Sequence, residues 1–168
     1  MSTPIREARE ADAHDVAALW TEAYVTLGVG GRADPYSEAD FATSARHGDI
    51  YVAEPGGAIA GVVVLFGPEA PGRVAAGDGE AELSRLAVAT AARGRGIGRD
   101  LAAHCERLAR SAGWPAIALW SRAAQLEAHG LYESMGYERV AERDSVDGSG
   151  LERLAFRLEL DRAGTTPQ

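Results

Sequence analysis

The 168-residue sequence predicts an α/β fold in which about seven strands form one sheet covered by about four helices. Three observations carry that expectation. Apolar runs of strand length alternate with stretches whose apolar residues recur every three or four positions, so both structural periods are present. Gly- and Pro-containing breaks separate the two kinds of stretch. From Glu82 to Tyr137 the order is strand, glycine turn, helix, strand, helix. A chain of this length buries one substantial core, and residues 1–162 are expected to form one domain followed by a disordered tail at 163–168.

In order, Ile5 to Ala8 reads as the first strand. Asp12 offers an N-cap for a helix to about Leu27, with Val16, Leu19, Trp20, Ala23 and Leu27 as its inner stripe. Gly28 to Pro35 is a flexible break, after which Ser37 caps a shorter helix through about His47. Asp49 to Glu54 and Ala58 to Phe66 form a hairpin around Pro55-Gly56-Gly57. The second of these strands is apolar on both faces and belongs inside the sheet. Gly67 to Gly79 is a long, mobile loop. It leads into the strand Leu83 to Ala89. Ile97 to Ala112 is a helix with Ile97, Leu101, Cys105 and Leu108 on one face, stopped by Gly113-Trp114-Pro115. Ala116 to Trp120 is a strand. The next helix starts near Ala123, sets Ala124, Ala128, Leu131 and Met135 on one face, and ends at Gly136. Arg139 to Arg143 and Leu151 to Leu160 read as an antiparallel pair across Asp147 to Gly150.

Composition excludes several function classes. Net charge is −8, and nucleic acid is not an expected partner, because phosphate binding needs a larger basic patch than one turn provides. A cationic acceptor would be attracted instead if the acids line the site. The opening MSTPIREARE mixes charges and has no apolar core, so it is not a secretory signal. The longest apolar run, Ala58 to Phe66, is too short to span a bilayer. A single cysteine, Cys105, fits a reducing, cytoplasmic setting and reads as a core residue. The histidines at 14, 47, 104 and 129 have no metal-ligand spacing, and no metal is expected.

The chemistry is carried by the turn Arg93-Gly94-Arg95-Gly96-Ile97-Gly98. It places three glycines at a helix N-terminus, where unpaired N–H groups and the positive end of the helix dipole converge. Such a junction binds anions. Gly96 and Gly98 lack Cβ, so a phosphate can approach the backbone, and Arg93, Arg95 and Arg99 add positive charge. Diphosphate is the natural guest. A nucleotide P-loop would need Lys and then Ser or Thr after the last glycine, where Arg99 and Asp100 stand. A dinucleotide fingerprint would need G-x-G-x-x-G and an acid at the end of the next strand, and neither is present.

The turn resembles that of the GNAT N-acetyltransferases, whose phosphate loop is Gln/Arg-x-x-Gly-x-Gly/Ala; Arg93, Gly96 and Gly98 fill that pattern. Leu86-Ala87-Val88 matches the end of the family's core strand. Ala128, Leu131, Tyr132, Gly136 and Tyr137 match its later helix motif. The resemblance implies a mixed, mostly antiparallel sheet, acetyl-CoA as acyl donor and an amine as acceptor. It implies that Leu86, Ala87 and Val88 face the pantetheine arm, and that Arg93, Gly94, Arg95, Gly96, Ile97, Gly98 and Arg99 hold the phosphates. The Val88 N–H becomes the donor to the thioester oxygen and Tyr132 the general acid. Glu82, six residues before Val88, occupies the general-base position of the histone-acetyltransferase-like members, with Glu80, His129 or water as alternatives. In the ribosomal-protein branch a Glu and an Asn stand where Trp120 and Gln125 stand here; Gln125 can still hydrogen-bond the cofactor, but Trp120 cannot act as a base. The resemblance also implies pairing of two chains through their C-terminal strands. A CoA-binding module without catalysis is the alternative class.

Overall fold

Gly61–Phe66 carries no polar side chain to turn toward solvent, and the sheet is built outward from it. In the computed structural model, which describes residues 3–28, 31–70 and 75–160, this strand is β3. It lies between β2 (Asp49–Ala53) and β4 (Ala81–Val88), both antiparallel to it. β1 (Ile5–Glu7) closes one edge. On the other side β4 runs parallel to β5 (Ala116–Arg122), and β8 (Glu152–Glu159) lies antiparallel against β5. The short strands β6 (Glu138–Arg139) and β7 (Ser145–Val146) both pair with β8. The sheet is therefore mixed and mostly antiparallel, as the resemblance implies.

Strand alternation sends Val62 and Val64 to one face and Val63 and Leu65 to the other, and all four are buried. On the first face they meet Val16, Leu19 and Trp20 of α1 (Ala13–Trp20) and Phe41 of α2 (Glu38–His47). On the second they meet Ile97, Leu101 and Cys105 of α3 (Ile97–Ser111) and Tyr132 of α4 (Leu126–Ser134). Gly61 lets α3 sit close, since a Cβ there would lie 2.7 Å from Ile97 Cγ2 and 2.9 Å from Leu101 Cδ1. Cys105 belongs to this core, and burial pushes its thiol up to about 12. Removing a fully buried aromatic such as Trp20 would cost about 3–5 kcal/mol.

Several expectations are corrected. Asp12 does not cap α1 in the forward direction; its carboxylate accepts the Arg9 N–H at 2.7 Å and a two-pronged contact from Arg6 at 2.8 and 3.0 Å. The Arg6 hydrogen bond is the main reason its pKa is drawn down to about 2. The first helix does not keep its α winding to Leu27. Thr21–Thr26 forms a π-helical turn, whose wider winding rotates Leu27 off the inner stripe and leaves it 46% exposed. Ser37 does cap α2, and Asp40 returns the contact by accepting the Ser37 N–H at 2.8 Å.

β3 begins at Gly61 rather than Ala58, although the Ala60 N–H already reaches Ala53 O at 2.8 Å. In α4 the residue most deeply buried is Tyr132, while Ala124 is exposed and precedes the helix. The strand expected at Arg139 to Arg143 is broken into β6 and a 3₁₀ turn, Ala141–Arg143. Arg139 holds Asp144 with two bonds of 2.8 Å across that turn, and Asp144 accepts the Ala155 N–H that would otherwise extend the ladder. The tail expected at 163–168 and part of the loop expected at Gly67 to Gly79 lie outside the described residues.

Candidate active site

The site begins with an irregularity in β4. Val62 pairs with Ala87 and Val64 with Ser84, so Val63 alone opposes both Arg85 and Leu86. The extra residue is a β-bulge, and Arg85 within it has φ +49°, the one non-glycine left-handed residue among those described. Such a backbone costs about 1–3 kcal/mol and is held from α1 and the π turn. Trp20 Nε1 donates to Arg85 O at 3.1 Å and the Tyr24 hydroxyl donates to Leu86 O at 2.6 Å. Meanwhile β4 stays paired with β5 only at Ala81↔Ile117 and Glu82↔Ala118. Beyond Glu82 the two parallel strands splay apart.

That splay exposes backbone. Ala89 donates its N–H to Ala60 O at 2.8 Å, across to the β3 side. Alternate residues aim their backbone groups at opposite edges of a strand, so the Val88 N–H and C=O face the open side. The sequence-derived choice of Leu86, Ala87 and Val88 thus divides: Ala87 is buried toward β3, the Leu86 carbonyl is taken by Tyr24, and Val88 faces the gap.

Below the gap lies the N-terminus of α3. Gly94 and Gly96 both have φ +79°, a conformation that favours glycine. Gly94, Arg95 and Gly96 are exposed, Ile97 is buried beneath them, and Asp100 N is the first backbone N–H to find a helical acceptor, Gly96 O at 3.0 Å. The N–H groups of Ile97, Gly98 and Arg99 have no acceptor among the described residues, which is the geometry of an anion cradle. A Cβ on Gly98 would meet Leu131 and Val88 only at 3.5 and 3.6 Å; its value lies in leaving the approach to the cradle open. Arg93 extends back toward the strand, with Nε 3.5 Å from Val88 O. Arg99 reaches Ser134 of α4 at 2.6 Å. Arg95 is exposed at the lip of the turn.

On the α1 and α2 side the splay opens into a cavity of about 410 Å³. From β4 it is lined by Glu82, Ser84 and Arg85, and from β5 by Trp120 and Arg122. Tyr24, Tyr36, Gln125 and Arg153 complete the wall. Glu82 is 9% exposed, and its Oε1 accepts the Ala75 N–H at 2.9 Å. Tyr132 approaches from the other face of the sheet. It is 5% exposed, packed edge-on to Tyr137 with ring centroids 5.5 Å apart. Its hydroxyl makes no hydrogen bond to a described residue. Burial pushes its pKa up, so the phenol keeps its proton at neutral pH. Burial likewise raises Tyr24, with Tyr132 nearby adding to the shift.

The alternatives to Glu82 are otherwise engaged. Glu80 accepts Arg143 Nη1 at 2.7 Å, Arg157 Nε at 2.6 Å and the Gly77 N–H. Burial pushes its pKa up, but these donors outweigh burial and leave it below the ordinary carboxylate range. His129 Nε2 lies 2.9 Å from Arg122 O, with its ring against Phe156. Gln125 lines the cavity, but its Oε1 caps the Arg122 N–H at 3.0 Å. The condition under which a cationic acceptor would be attracted, acids lining the site, is not met: the cavity wall carries three arginines and one carboxylate. Tyr24, Arg85, Arg122 and Arg153 were not among the sequence-derived site residues. The one signal for any of them was an arginine interrupting the apolar run of β4.

Comparison with known proteins agrees with this geometry. Residues 13–137 match the acetyltransferase (GNAT) family. An N-acetylaspartate synthetase of Danio rerio is 34% identical over 119 residues, covering 66% of this chain and 42% of that protein. An N-acetyltransferase family 8 member 2 of Rattus norvegicus is 32% identical over 94 residues, covering 56% of this chain and 40% of the relative. The chain thus spans about two fifths of the length of these curated relatives. Among solved structures, a ribosomal-protein-alanine N-acetyltransferase of Brucella melitensis superposes with TM-score 0.75 at 25% identity, over 94% of this chain and 99% of the other. A phosphinothricin acetyltransferase of Sinorhizobium meliloti in complex with AcCoA gives TM-score 0.77 at 20% identity, over 100% and 94%.

Tyr24→Phe strips the Leu86 carbonyl of its donor, and urea unfolding should register a loss of about 1–3 kcal/mol. An unchanged midpoint would show that the hydroxyl does not hold the bulge.

Proposed function

The chain belongs to the acetyltransferase (GNAT) family, and from that premise we propose that it transfers an acetyl group from acetyl-CoA directly to a primary amine while both are bound. The observation that carries this reading is the opening between β4 and β5, with unpaired N–H groups of the α3 N-terminus at one end and a cavity of about 410 Å³ at the other. The names of the relatives are all of transfer to nitrogen, which supports an amine as acceptor.

When bound, acetyl-CoA supplies a thioester carbonyl and a thiolate leaving group. The α3 N-terminus, with its unpaired N–H groups and Arg93, Arg95 and Arg99, would hold the diphosphate. The Val88 N–H would donate to the thioester oxygen, a bond that strengthens as negative charge gathers there. Glu82 would accept a proton from the incoming amine, either directly or through water, as the new C–N bond forms. Tyr132 would give its proton to the departing sulfur as the C–S bond breaks. A phenol is a weaker acid than a thiol, and burial weakens it further, so donation is coupled to bond cleavage rather than preceding it. The raised pKa of Tyr132 and its lack of a protein hydrogen-bond partner among the described residues support that role. Glu82 is favoured over Glu80 because Glu82 lines the cavity, whereas Glu80 is bound to Arg143 and Arg157 outside that lining.

Among the described residues no helix is long and apolar enough to cross a membrane. A cytoplasmic location is our reading of the composition, in particular of the single, buried Cys105.

Calorimetric titration with acetyl-CoA, followed by amines under a thiol-release assay, tests the reading. Failure to bind acetyl-CoA would refute it, and binding without release from any amine would leave a CoA-binding module. Gly96→Asp, which sets a side chain and a negative charge at the cradle, is expected to abolish binding; retained affinity would move the phosphate site elsewhere. Tyr132→Phe should lower kcat about 10²-fold or more, within the range of general acid catalysis, with acetyl-CoA affinity little changed. Unaltered turnover would remove Tyr132 from the mechanism. Glu82→Gln should steepen the rise of rate with pH, because only amine already deprotonated in solution could then react. Matching profiles for variant and parent would exclude Glu82 as the base.

A further inference from the structure

The cavity charge is opposite in sign to that of the chain. With a net charge of −8 overall, the chain nevertheless places Arg85, Arg122 and Arg153 around the space beside Glu82. Arg122 is neutralised by Asp147. The other two are held differently. Arg85 lies over the rings of Trp20 and Tyr36, at 5.1 and 5.2 Å from their centroids, and donates to Ser44 Oγ at 3.0 Å. Arg153 stacks 3.8 Å from the centroid of Trp120, with its Nε on Ser145 Oγ at 3.0 Å. Neither forms an ion pair with a carboxylate among the described residues.

Stacking fixes the plane of a guanidinium and leaves its outer N–H edge for a partner. Two cations set beside a cavity and only partly solvated gain most from an anion that enters with the ligand. A polyamine or a lysine side chain would bring a further positive charge among three arginines. Two observations strengthen the argument. Arg85 sits at the strained bulge, φ +49°, where glycine or asparagine would be easier to accommodate. Arg153 lines the same space as Arg122 and Glu82; burial first, then the like charge of Arg122, draw its pKa down against the opposite charges of Asp147 and Glu82.

We propose that the acceptor is a small amine bearing at least one carboxylate, an amino acid in chemical class, with its carboxylate on Arg85 and Arg153 and its amine at Glu82. This deepens the acetyl-transfer reading and rests on it. The acyl donor remains acetyl-CoA: the C–S bond breaks, the N–C bond forms, and the carboxylate is bound without reacting. A cavity of about 410 Å³ holds an acceptor of this size. Tyr36, which packs against Trp20 with ring centroids 5.8 Å apart, provides an apolar wall for its carbon chain.

The test is a thiol-release assay at saturating acetyl-CoA with matched amines bearing two, one or no carboxylates: glutamate, 4-aminobutyrate and butylamine, and aspartate, β-alanine and propylamine. A parallel set holds cationic acceptors, namely putrescine and a lysine peptide. The expected result is that kcat/KM falls about tenfold or more as carboxylates are removed, the range for a lost charge-assisted hydrogen bond. Arg153→Gln and Arg85→Gln should each raise KM for the carboxylated amines about tenfold or more, with acetyl-CoA affinity, measured by calorimetry on the same preparations, unchanged. Faster release with putrescine, the lysine peptide or the amines lacking carboxylates would overturn the proposal and leave acetyl transfer standing. So would KM values indifferent to both substitutions. Absence of release from every amine would instead strike down the acetyl-transfer reading, and this proposal with it.

Discussion

β4 leaves β5 after two paired residues, and the rest of the site follows from how that opening is kept from closing. Parting two parallel strands inside a sheet strands N–H and C=O groups on both edges, and each needs a partner. Side chains supply the partners where a strand would have done so. On the β4 edge, Trp20 takes Arg85 O and Tyr24 takes Leu86 O. On the β5 edge, Gln125 takes the Arg122 N–H and His129 meets Arg122 O. Once these are spoken for, the backbone at Val88 faces the gap. His129 and Gln125, both candidate chemistry-bearing residues in the sequence, thus also cap the edge of the opening.

The arginines divide according to what neutralises them. Arg143 and Arg157 share Glu80, which ties the start of β4 to β8 and the 3₁₀ turn before β7. Arg122 has Asp147. Arg85 and Arg153 are carried on aromatic rings, an arrangement that keeps a guanidinium charged and oriented without a carboxylate. Glu82 keeps a buried carboxylate within the same field, with one oxygen on the Ala75 N–H. The cavity is thus polar by arrangement as well as by composition: Arg122 is joined to Asp147, while Arg85 and Arg153 are carried on aromatic rings.

Much of this fold could be read in the sequence because its signals are local. The apolar run of β3, the Ser37 cap, the glycine turn and the period of α3 each depend on neighbours a few positions away, and each is found, β3 starting three residues later than the pattern put it. The backbone of the glycine turn was legible for the same reason: glycines with φ +79° at a helix start are a conformational requirement written in residue type. What was not legible depends on pairing between distant segments. The bulge at Arg85 exists because β3 is one residue shorter than β4 across that span, which no periodicity in β4 alone reveals. The π turn had no sequence signal and misplaced Leu27. Arg153 joins the cavity through the Arg122↔Arg153 register of β5 and β8, so the sign of the pocket could not be inferred from net charge.

The bulge and the π turn can also be viewed as insertions. A bulge is a strand lengthened by one residue, and a π turn is a helix with one residue more than its α winding accommodates. Here the two lie against each other, joined by Trp20 to Arg85 and Tyr24 to Leu86. Trp20 stands just before the π turn and Tyr24 within it, so the winding of residues 21–26 sets where the Tyr24 hydroxyl meets Leu86 O, and the shape of a strand is held by the pitch of a helix.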